Sequence, residues 1–195
     1  METEIEAKFP DIDANALRGK LKELGATREH PEVLMKRKTF DFPDRKKMKG
    51  WVRVRDEGNK ITLSYKQLDD WSLHGTKEST VTVSNFEDTC KILLSIGLEQ
   101  KSYQETKREK WKYKDVEVTI DTWPWVPTFV EIEGSSEELV RRVAEDLGLD
   151  WGDALHGSVE PIYQMHYDFT DEEIDGWKSI TFVPPPDWLL ARKKK

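Results

Sequence analysis

Charged side chains recur at every second residue in the first strand-forming segment, Thr3–Phe9. Successive side chains of an extended strand point to opposite faces, so Glu4, Glu6 and Lys8 share one face and apolar residues share the other. Such a charged face is costly against an apolar core, but it suits bulk water or a wet cavity. Taken alone, the segment is compatible with a solvated edge strand, and the remaining strands decide between the two interpretations.

The same division into a charged and an apolar face recurs in later segments. Trp51–Asp56 and Lys60–Lys66 are predicted to form a hairpin around Gly58, and Phe129–Glu133 is predicted as a late strand. Lys77–Val83 and Val116–Asp121 are predicted strands of the same kind. The acidic positions on the charged faces of all these strands are Glu4, Glu6, Glu78, Asp121, Glu131 and Glu133. The basic positions are Lys8, Arg53, Arg55, Lys66 and Arg108.

Two predicted strands carry charge on both faces, so polarity alone does not orient them. In the strand that ends at Phe42, Lys36 and Arg37 point to opposite sides, and the side that faces the other charges stays open. The same holds for Lys107 and Arg108 in the long predicted strand Tyr103–Tyr113, where we assign Arg108 to the shared charged face.

These residue types together favour a site for a metal ion and a polyanion. Carboxylate oxygens without His or Cys partners suit hard cations such as Mg²⁺ or Mn²⁺. Several Arg and Lys side chains in one concave site suit phosphate groups, because the guanidinium fork matches phosphate geometry. A solvated strand face would explain any single pair, but it does not explain the repetition on five or more strands.

Three amphipathic helices accompany about eight strands. Their predicted N-caps and glycine stops are Asp11 or Asp13 with Gly25, Asn85 with Gly97, and a capping box of Ser135 and Glu138 with Gly148. The apolar stripes of these helices need a partner surface. We therefore predict an α+β fold in which a closed, eight-stranded antiparallel β-barrel turns its charged face inward and carries the helices on its apolar outside.

Composition narrows the function classes. The formal net charge of −7 over 195 residues argues against a general nucleic-acid binder. The single cysteine, Cys90, has no internal disulfide partner and is predicted to be a buried apolar residue. No run approaches the roughly 20 apolar residues that cross a bilayer, and the N-terminus lacks signal-peptide features, so we expect a cytoplasmic protein without a membrane partner.

The stretch Glu4-Ile5-Glu6-Ala7-Lys8 resembles the ExExK motif of the CYTH superfamily, the triphosphate tunnel metalloenzymes. Its specificity comes from the ordered remainder, which ends in Glu131-Ile132-Glu133. The resemblance runs from Thr3 to about Tyr167 and is greatest to the class IV adenylyl cyclase-like branch. It predicts a tunnel domain over residues 1–169 and a C-terminal extension over 170–195.

The resemblance also implies a role for each inward residue. Metal ligands would be Glu4, Glu6, Glu131 and Glu133. Triphosphate-binding residues would be Lys8, Arg53, Arg55, Lys66 and Arg108. Catalytic and accessory acids would be Glu4, Glu6, Glu78 and Asp121. One departure lies at Trp123–Thr128, where many relatives have a Leu-Gly pair, and this loop is expected near a tunnel mouth, as a substrate-selective element or as a lid that only packs.

Three functions remain open on these grounds. A metal-dependent triphosphatase demands least, because it needs no base pocket and no ribose alignment. A class IV adenylyl cyclase would instead convert ATP to cyclic AMP and pyrophosphate. A non-catalytic binder of polyphosphate or nucleotide would not need the acids that this chain retains. The expected ligands are tripolyphosphate, ATP or thiamine triphosphate, with Mg²⁺ or Mn²⁺, in a monomer or homodimer.

Overall fold

The computed structural model describes residues 1–44 and 50–194. Its strands among these residues are β1 (Glu2–Thr3), β2 (Glu6–Phe9), β3 (Thr27–Asp41), β4 (Gly50–Asp56), β5 (Ile61–Leu68), β6 (Thr76–Val83), β7 (Glu99–Tyr113), β8 (Val116–Thr122), β9 (Phe129–Glu133) and β10 (Ser179–Ile180). Its helices are α1 (Ala14–Glu23), α2 (Phe86–Ser95), α3 (Glu137–Leu147), α4 (Glu160–His166), α5 (Asp171–Asp175) and α6 (Asp187–Leu190), with a 3-10 turn at Trp151–Asp153.

The strands form one sheet in the order β1-β6-β5-β4-β3-β7-β8-β9-β2, with antiparallel neighbours throughout this path. The short β10 adds to β7 in parallel, which the prediction of a purely antiparallel sheet had missed. The two ends of the path are β1 and β2, which are neighbours in the chain, so the sheet curls. The predicted α+β class and the antiparallel sheet that carries helices are confirmed, whereas closure of the sheet into a barrel stays a prediction.

The prediction of one continuous strand from Thr3 to Phe9 is wrong. The segment instead changes its pairing partner between β1 and β2. The backbone N–H of Glu4 donates to the Thr76 carbonyl at 3.0 Å, whereas the Ile5 carbonyl accepts from the Gly134 N–H at 3.1 Å. The segment thus pairs with β6 through β1 and with β9 through β2, at opposite ends of the strand order. A hydrophobicity pattern cannot reveal this exchange, because alternation does not identify the pairing strand.

The helices pack on the apolar face of the sheet, as predicted. Leu21 of α1 and Val140 and Val143 of α3 are completely buried against apolar residues of the sheet such as Ile132 and Val118. Full burial of an aliphatic side chain of this size stabilises the fold by about 1.5–3 kcal/mol. Charged side chains on the same strands therefore point to the other, inner side of the sheet.

The helix ends follow the predicted signals with one correction. Asp13 and Asn85 cap α1 and α2. The cap of α3 is Ser136 rather than the predicted Ser135, because the Ser136 hydroxyl accepts a hydrogen bond from the Leu139 N–H at 3.3 Å. Gly148 ends α3 at φ 78°, a left-handed conformation that a residue with a Cβ adopts at a cost.

The C-terminal segment packs over one end of the sheet. Trp125 meets Trp177 and Trp188 edge to face, at centroid distances of 6.2 and 6.3 Å. The Tyr163 hydroxyl donates to the Pro124 carbonyl at 2.9 Å. This aromatic cluster fastens the end of the chain to the loop before β9. Among the described residues, every helix is too short or too polar to cross a bilayer.

Candidate functional site

The inner face of the sheet lines two adjoining cavities of about 390 and 330 Å³. Arg53 of β4 and Arg108 of β7 line both, so these two guanidinium groups lie where the cavities meet. We call the first the polar cavity, which is also lined by Arg55, Glu57, Lys60, Lys110 and Glu117. We call the second the aromatic cavity, which is also lined by Glu6, Lys8, Arg37, Thr39, Trp51, Lys66, Trp71, Trp123 and Glu131.

Three carboxylates converge beside the aromatic cavity. Glu6, Glu131 and Glu133 each offer an oxygen, and these oxygens lie within 4.8 Å of one another. The register explains their meeting, because Glu6 lies directly opposite Glu133 and Lys8 directly opposite Glu131 in the β2–β9 pair. An all-oxygen donor set of this kind fits Mg²⁺ or Mn²⁺, so the residues present suit the predicted metal ion.

Glu4, the fourth predicted metal ligand, lies outside this cluster. One Glu4 carboxylate oxygen lies 2.9 Å from Lys66 Nζ, and Lys66 in turn lies 3.3 Å from Glu78. Glu78 also accepts a hydrogen bond from Arg53 at 2.9 Å. Glu4 thus belongs to a second network of acids and bases on β4, β5 and β6, and its role as a metal ligand stays a prediction.

Glu4 with Glu78, and Glu6 with Glu131, form two interacting pairs of carboxyl groups. In each pair the pKa of one member is raised and that of the other is lowered. Burial raises the pKa of Glu4 to about 8, helped by its hydrogen bond with Glu78, and burial together with the Glu131 charge raises the pKa of Glu6 to about 7. Burial would raise the pKa of Glu78 as well, but its hydrogen bond with Glu4 and the charge of Arg53 lower it overall. Burial also opposes ionisation of Glu131, but the charges of Lys8 and Arg108 lower its pKa overall. Glu4 and Glu6 are therefore the members of these two pairs that bind a proton more readily.

Metal binding is expected to strengthen with pH because Glu6 must lose its proton to become a ligand. The pKa of Glu6 is raised from 4.5 to about 7, so the stability that this group contributes is complete below pH 4.5 and is lost as pH rises through 7. A bound cation stabilises the ionised form of Glu6 and so offsets that loss of stability. The affinity for the cation is expected to increase by up to about tenfold per pH unit for each proton that binding releases. We predict a larger Mg²⁺-dependent increase in melting temperature at about pH 8 than at about pH 6.

Differential scanning fluorimetry with Mg²⁺ or EDTA at both pH values measures this effect. Sodium chloride at matched ionic strength controls for general screening. An equal Mg²⁺-dependent increase at the two pH values would contradict the assignment of a protonated Glu6 to the metal site.

Asp121 is occupied in holding Arg108. Its two carboxylate oxygens accept hydrogen bonds from Arg108 Nε at 2.7 Å and Nη2 at 2.9 Å, and the second oxygen also accepts from Thr119 Oγ1 at 2.7 Å. Arg108 Nη2 reaches Glu131 at 3.2 Å as well. Arg108 therefore faces inward, as assigned. The geometry favours a positioning role for Asp121, and its catalytic role stays a prediction.

The remaining predicted bases also face the cavities. Lys8 Nζ donates to Glu6 at 2.7 Å and to the Gly157 carbonyl at 2.6 Å. Although burial opposes it, the charges of Glu131 and Glu6 raise the pKa of Lys8. Arg55 donates to Glu57 at 2.7 Å in the polar cavity.

Arg37 points inward, a direction that the sequence pattern leaves open. It is buried in the aromatic cavity, with its guanidinium carbon 4.1 Å from the centroid of the Trp123 ring. The predicted strand had charges on both faces, and the structure turns Arg37 and Thr39 inward. Trp123 belongs to the loop predicted at a tunnel mouth, and it packs on the site from there.

The chain is similar to a known protein family and to several solved structures. A family model described as the CYTH domain matches residues 2–173. No curated protein matched the chain. The PH1012 protein of Pyrococcus horikoshii OT3 is similar in structure, with a TM-score of 0.69, 21% identity, and coverage of 82% of this chain and 98% of that one.

Two further solved structures have related folds. A protein of Vibrio parahaemolyticus, named as a candidate adenylate cyclase, gives a TM-score of 0.72 at 14% identity, with 84% of this chain and 98% of that chain covered. A protein of Hippeastrum, named as a candidate adenylyl cyclase with a dominant triphosphatase activity, gives 0.54 at 15% identity, with 85% and 96% covered. At these identities the likeness is one of fold.

Proposed function

Because the chain belongs to the CYTH domain family, we propose that it is a divalent-metal-dependent triphosphatase that binds its substrate between the two cavities. Members of this family are enzymes that hydrolyse or cyclise triphosphates. The observation that carries the proposal is the meeting of three carboxylates and several cations around one cavity. The substrate is a small molecule that carries a triphosphate group.

The inner charges suit both partners of such a reaction. A polyphosphate chain needs cations on several sides, and Arg53 and Arg108 lie where the two cavities meet, with Lys8 and Lys66 in the aromatic cavity. Guanidinium and ammonium groups that are fixed before the substrate arrives stabilise the charge that develops on the transferred phosphoryl group. Glu78 and Asp121 hold Arg53 and Arg108 in place for this purpose.

Glu6, Glu131 and Glu133 would hold the divalent cation, and we retain Glu4 as a further candidate ligand. When bound, the cation supplies charge neutralisation at the phosphate oxygens and a more acidic water. Glu131 contacts Arg108 at 3.2 Å and Glu6 contacts Lys8 at 2.7 Å, so two ion pairs couple the acidic cluster to the phosphate-binding bases. The residues of the site thereby orient the substrate and its nucleophile together.

We further propose that the sheet closes into a tunnel over residues 1–169. Support comes from the partner exchange at Glu4 and Ile5, whose backbone groups bond to Thr76 of β6 and to Gly134 just after β9, near opposite ends of the strand path. A closed sheet removes its exposed edges and restricts water at the reacting phosphate. Residues 170–195 would then be an extension that packs on one end.

A nucleotide cyclase is the second candidate, and the aromatic cavity favours it. Trp51, Trp71 and Trp123 line the space beside the metal-binding carboxylates. Indole rings offer stacking surfaces to a heterocycle, which inorganic tripolyphosphate does not need. An organic triphosphate, hydrolysed or cyclised, is therefore compatible with the same site.

The test incubates the purified protein with tripolyphosphate, ATP or thiamine triphosphate, each with Mg²⁺ or Mn²⁺. Orthophosphate, pyrophosphate and cyclic AMP are measured in every reaction. We expect metal-dependent release of orthophosphate. Cyclic AMP with an equal amount of pyrophosphate would instead establish the cyclase. Binding of a triphosphate without any of the three products would overturn both activities and leave a binding protein.

A further inference from the structure

Arg37 and Thr39 point inward with buried donors that have no hydrogen-bond partner. Arg53 Nε shares this property, but Arg53 also donates through Nη2 to a carboxylate, Glu78, and Arg37 and Thr39 have no such partner among the described residues. Arg37 is 9% exposed and Thr39 is 9% exposed, yet Arg37 Nε and Thr39 Oγ1 have no hydrogen-bond partner among the described residues. They are two residues apart on β3, so both side chains point to the same face and line the aromatic cavity. A buried donor that lacks a partner is destabilising, and more so when it is charged.

The other inward cations each have a carboxylate nearby. Their ion pairs are Lys8 with Glu6 at 2.7 Å, Arg53 with Glu78 at 2.9 Å, Arg55 with Glu57 at 2.7 Å, Lys66 with Glu4 at 2.9 Å and Arg108 with Asp121 at 2.7 Å. Within residues 1–44 and 50–194, Arg37 forms no such pair. The acid that acts on it electrostatically is Asp121, which is already bound to Arg108.

The neighbours of Arg37 increase its need for an anion. Arg37 lies directly opposite Arg55 in the β3–β4 pair, and Thr39 lies opposite Arg53. Like charges across a strand pair are destabilising. Burial and the charges of Arg53, Arg55 and Arg108 lower the pKa of Arg37 well below its usual range. An arginine nonetheless keeps its proton in proteins, so the positive charge remains and lacks compensation.

Trp123 holds this guanidinium without neutralising it. The ring centroid lies 4.1 Å from the guanidinium carbon, which is a close cation–π contact. Such stacking occupies a face of the planar group and leaves its N–H edge available for hydrogen bonds. The side chain is therefore fixed in direction while its donors stay available in the cavity.

We propose that Arg37 and Thr39 form an anion-binding pair on β3 that receives a phosphate group of the substrate, with Trp123 as the positioning residue for Arg37. The assignment rests on the proposed function and deepens it. It places a phosphate of the substrate in the aromatic cavity, on the same side as Glu6 and Glu131. The triphosphate then runs from this pair towards Arg53 and Arg108, where the two cavities meet.

The free protein provides a direct test, because an uncompensated buried charge lowers stability until its anion binds. Arg37→Met removes the charge and keeps an unbranched side chain. We expect this variant to melt at a higher temperature than the wild type without ligand. We also expect it to bind tripolyphosphate at least about tenfold more weakly, the loss typical of a charge-assisted hydrogen bond. Thr39→Val is expected to weaken binding by a smaller factor.

Thermal unfolding and titration calorimetry with tripolyphosphate, in EDTA and again in Mg²⁺, give both quantities. Arg141→Met is the matched control, because Arg141 also stacks on a tryptophan at 4.1 Å but lies exposed on α3. The control is expected to leave tripolyphosphate affinity unchanged and to give no increase in melting temperature. Arg37→Lys keeps the charge and is expected to retain part of the affinity.

Two outcomes would overturn the assignment. A lower melting temperature of free Arg37→Met with unchanged affinity for tripolyphosphate would make Arg37 a structural residue and leave the proposed function intact. A wild-type protein that neither binds tripolyphosphate nor gains stability from it would overturn the proposed function and this assignment together.

Discussion

Replacing Glu131 by Gln is expected to lower kcat/KM for tripolyphosphate by at least about 100-fold, the loss typical when one group that stabilises the transition state is removed. Glu131 occupies the centre of the site. It belongs to the carboxylate cluster with Glu6 and Glu133, and it accepts from Arg108 at 3.2 Å. The charges of Lys8 and Arg108 lower its pKa, so Glu131 is the ionised member of its pair with Glu6.

The amide keeps the size of the side chain but removes its charge. We therefore expect the Mg²⁺-dependent increase in melting temperature to shrink together with activity. Steady-state kinetics over a range of Mg²⁺ concentrations, and thermal unfolding with Mg²⁺ or EDTA, measure the two effects. Glu145→Gln on the exposed face of α3 is the matched control. Unchanged turnover in Glu131→Gln would contradict the metal-ligand assignment.

The inward direction of the charged faces was predictable where one face of a strand is apolar. In β4, Val52 and Val54 are buried on the apolar face of the sheet, which is covered by α2. Arg53 and Arg55 therefore point to the inner side. Such a strand has one register that buries its apolar residues, and a shift by one residue would expose all of them. Alternation therefore determines the direction of each side chain without knowledge of the partner strand.

Where both faces are charged, pairing and packing decide the direction. Arg37 is turned inward because β3 lies between β4 and β7, whose registers place it opposite Arg55 and Gln104. Its contact with Trp123 joins segments that are far apart in the sequence. No local pattern encodes such a contact. The most distinctive inward residue therefore emerged only from the three-dimensional arrangement.

The fold of residues 170–195 was also beyond the reach of periodicity, because the helices in this range are short and their positions depend on long-range contacts. Asp171, Ile174 and Asp175 of α5 line the aromatic cavity, and β10 adds to β7. Gly157 has φ 82°, and a Cβ there would lie 2.5 Å from the Trp71 ring. Its own carbonyl accepts a hydrogen bond from Lys8. The segment after α3 thus contributes walls to the site as well as packing.

Replacing Asp121 by Asn is expected to lower the free energy of unfolding by about 3–5 kcal/mol, the usual cost of removing one partner of a buried ion pair. Asp121 is 1% exposed, and its oxygens accept three hydrogen bonds, two from Arg108 and one from Thr119. An amide cannot accept on both sides, so Arg108 keeps its charge but loses its fixed direction. Denaturant unfolding measures the stability, and KM for tripolyphosphate is expected to increase with it.

A double-mutant cycle distinguishes positioning from participation in proton transfer. If Asp121 acts by holding Arg108, then in the Arg108→Met background the further change Asp121→Asn costs little additional activity, because the group that it positions is already absent. If Asp121 transfers a proton, the two losses multiply, and the pH profile of kcat changes with the Asp121 substitution even without Arg108. Both oxygens of Asp121 are engaged by Arg108 and Thr119 donors, so we expect the non-additive result. Independent, multiplying losses would require Asp121 to be returned to the catalytic acids.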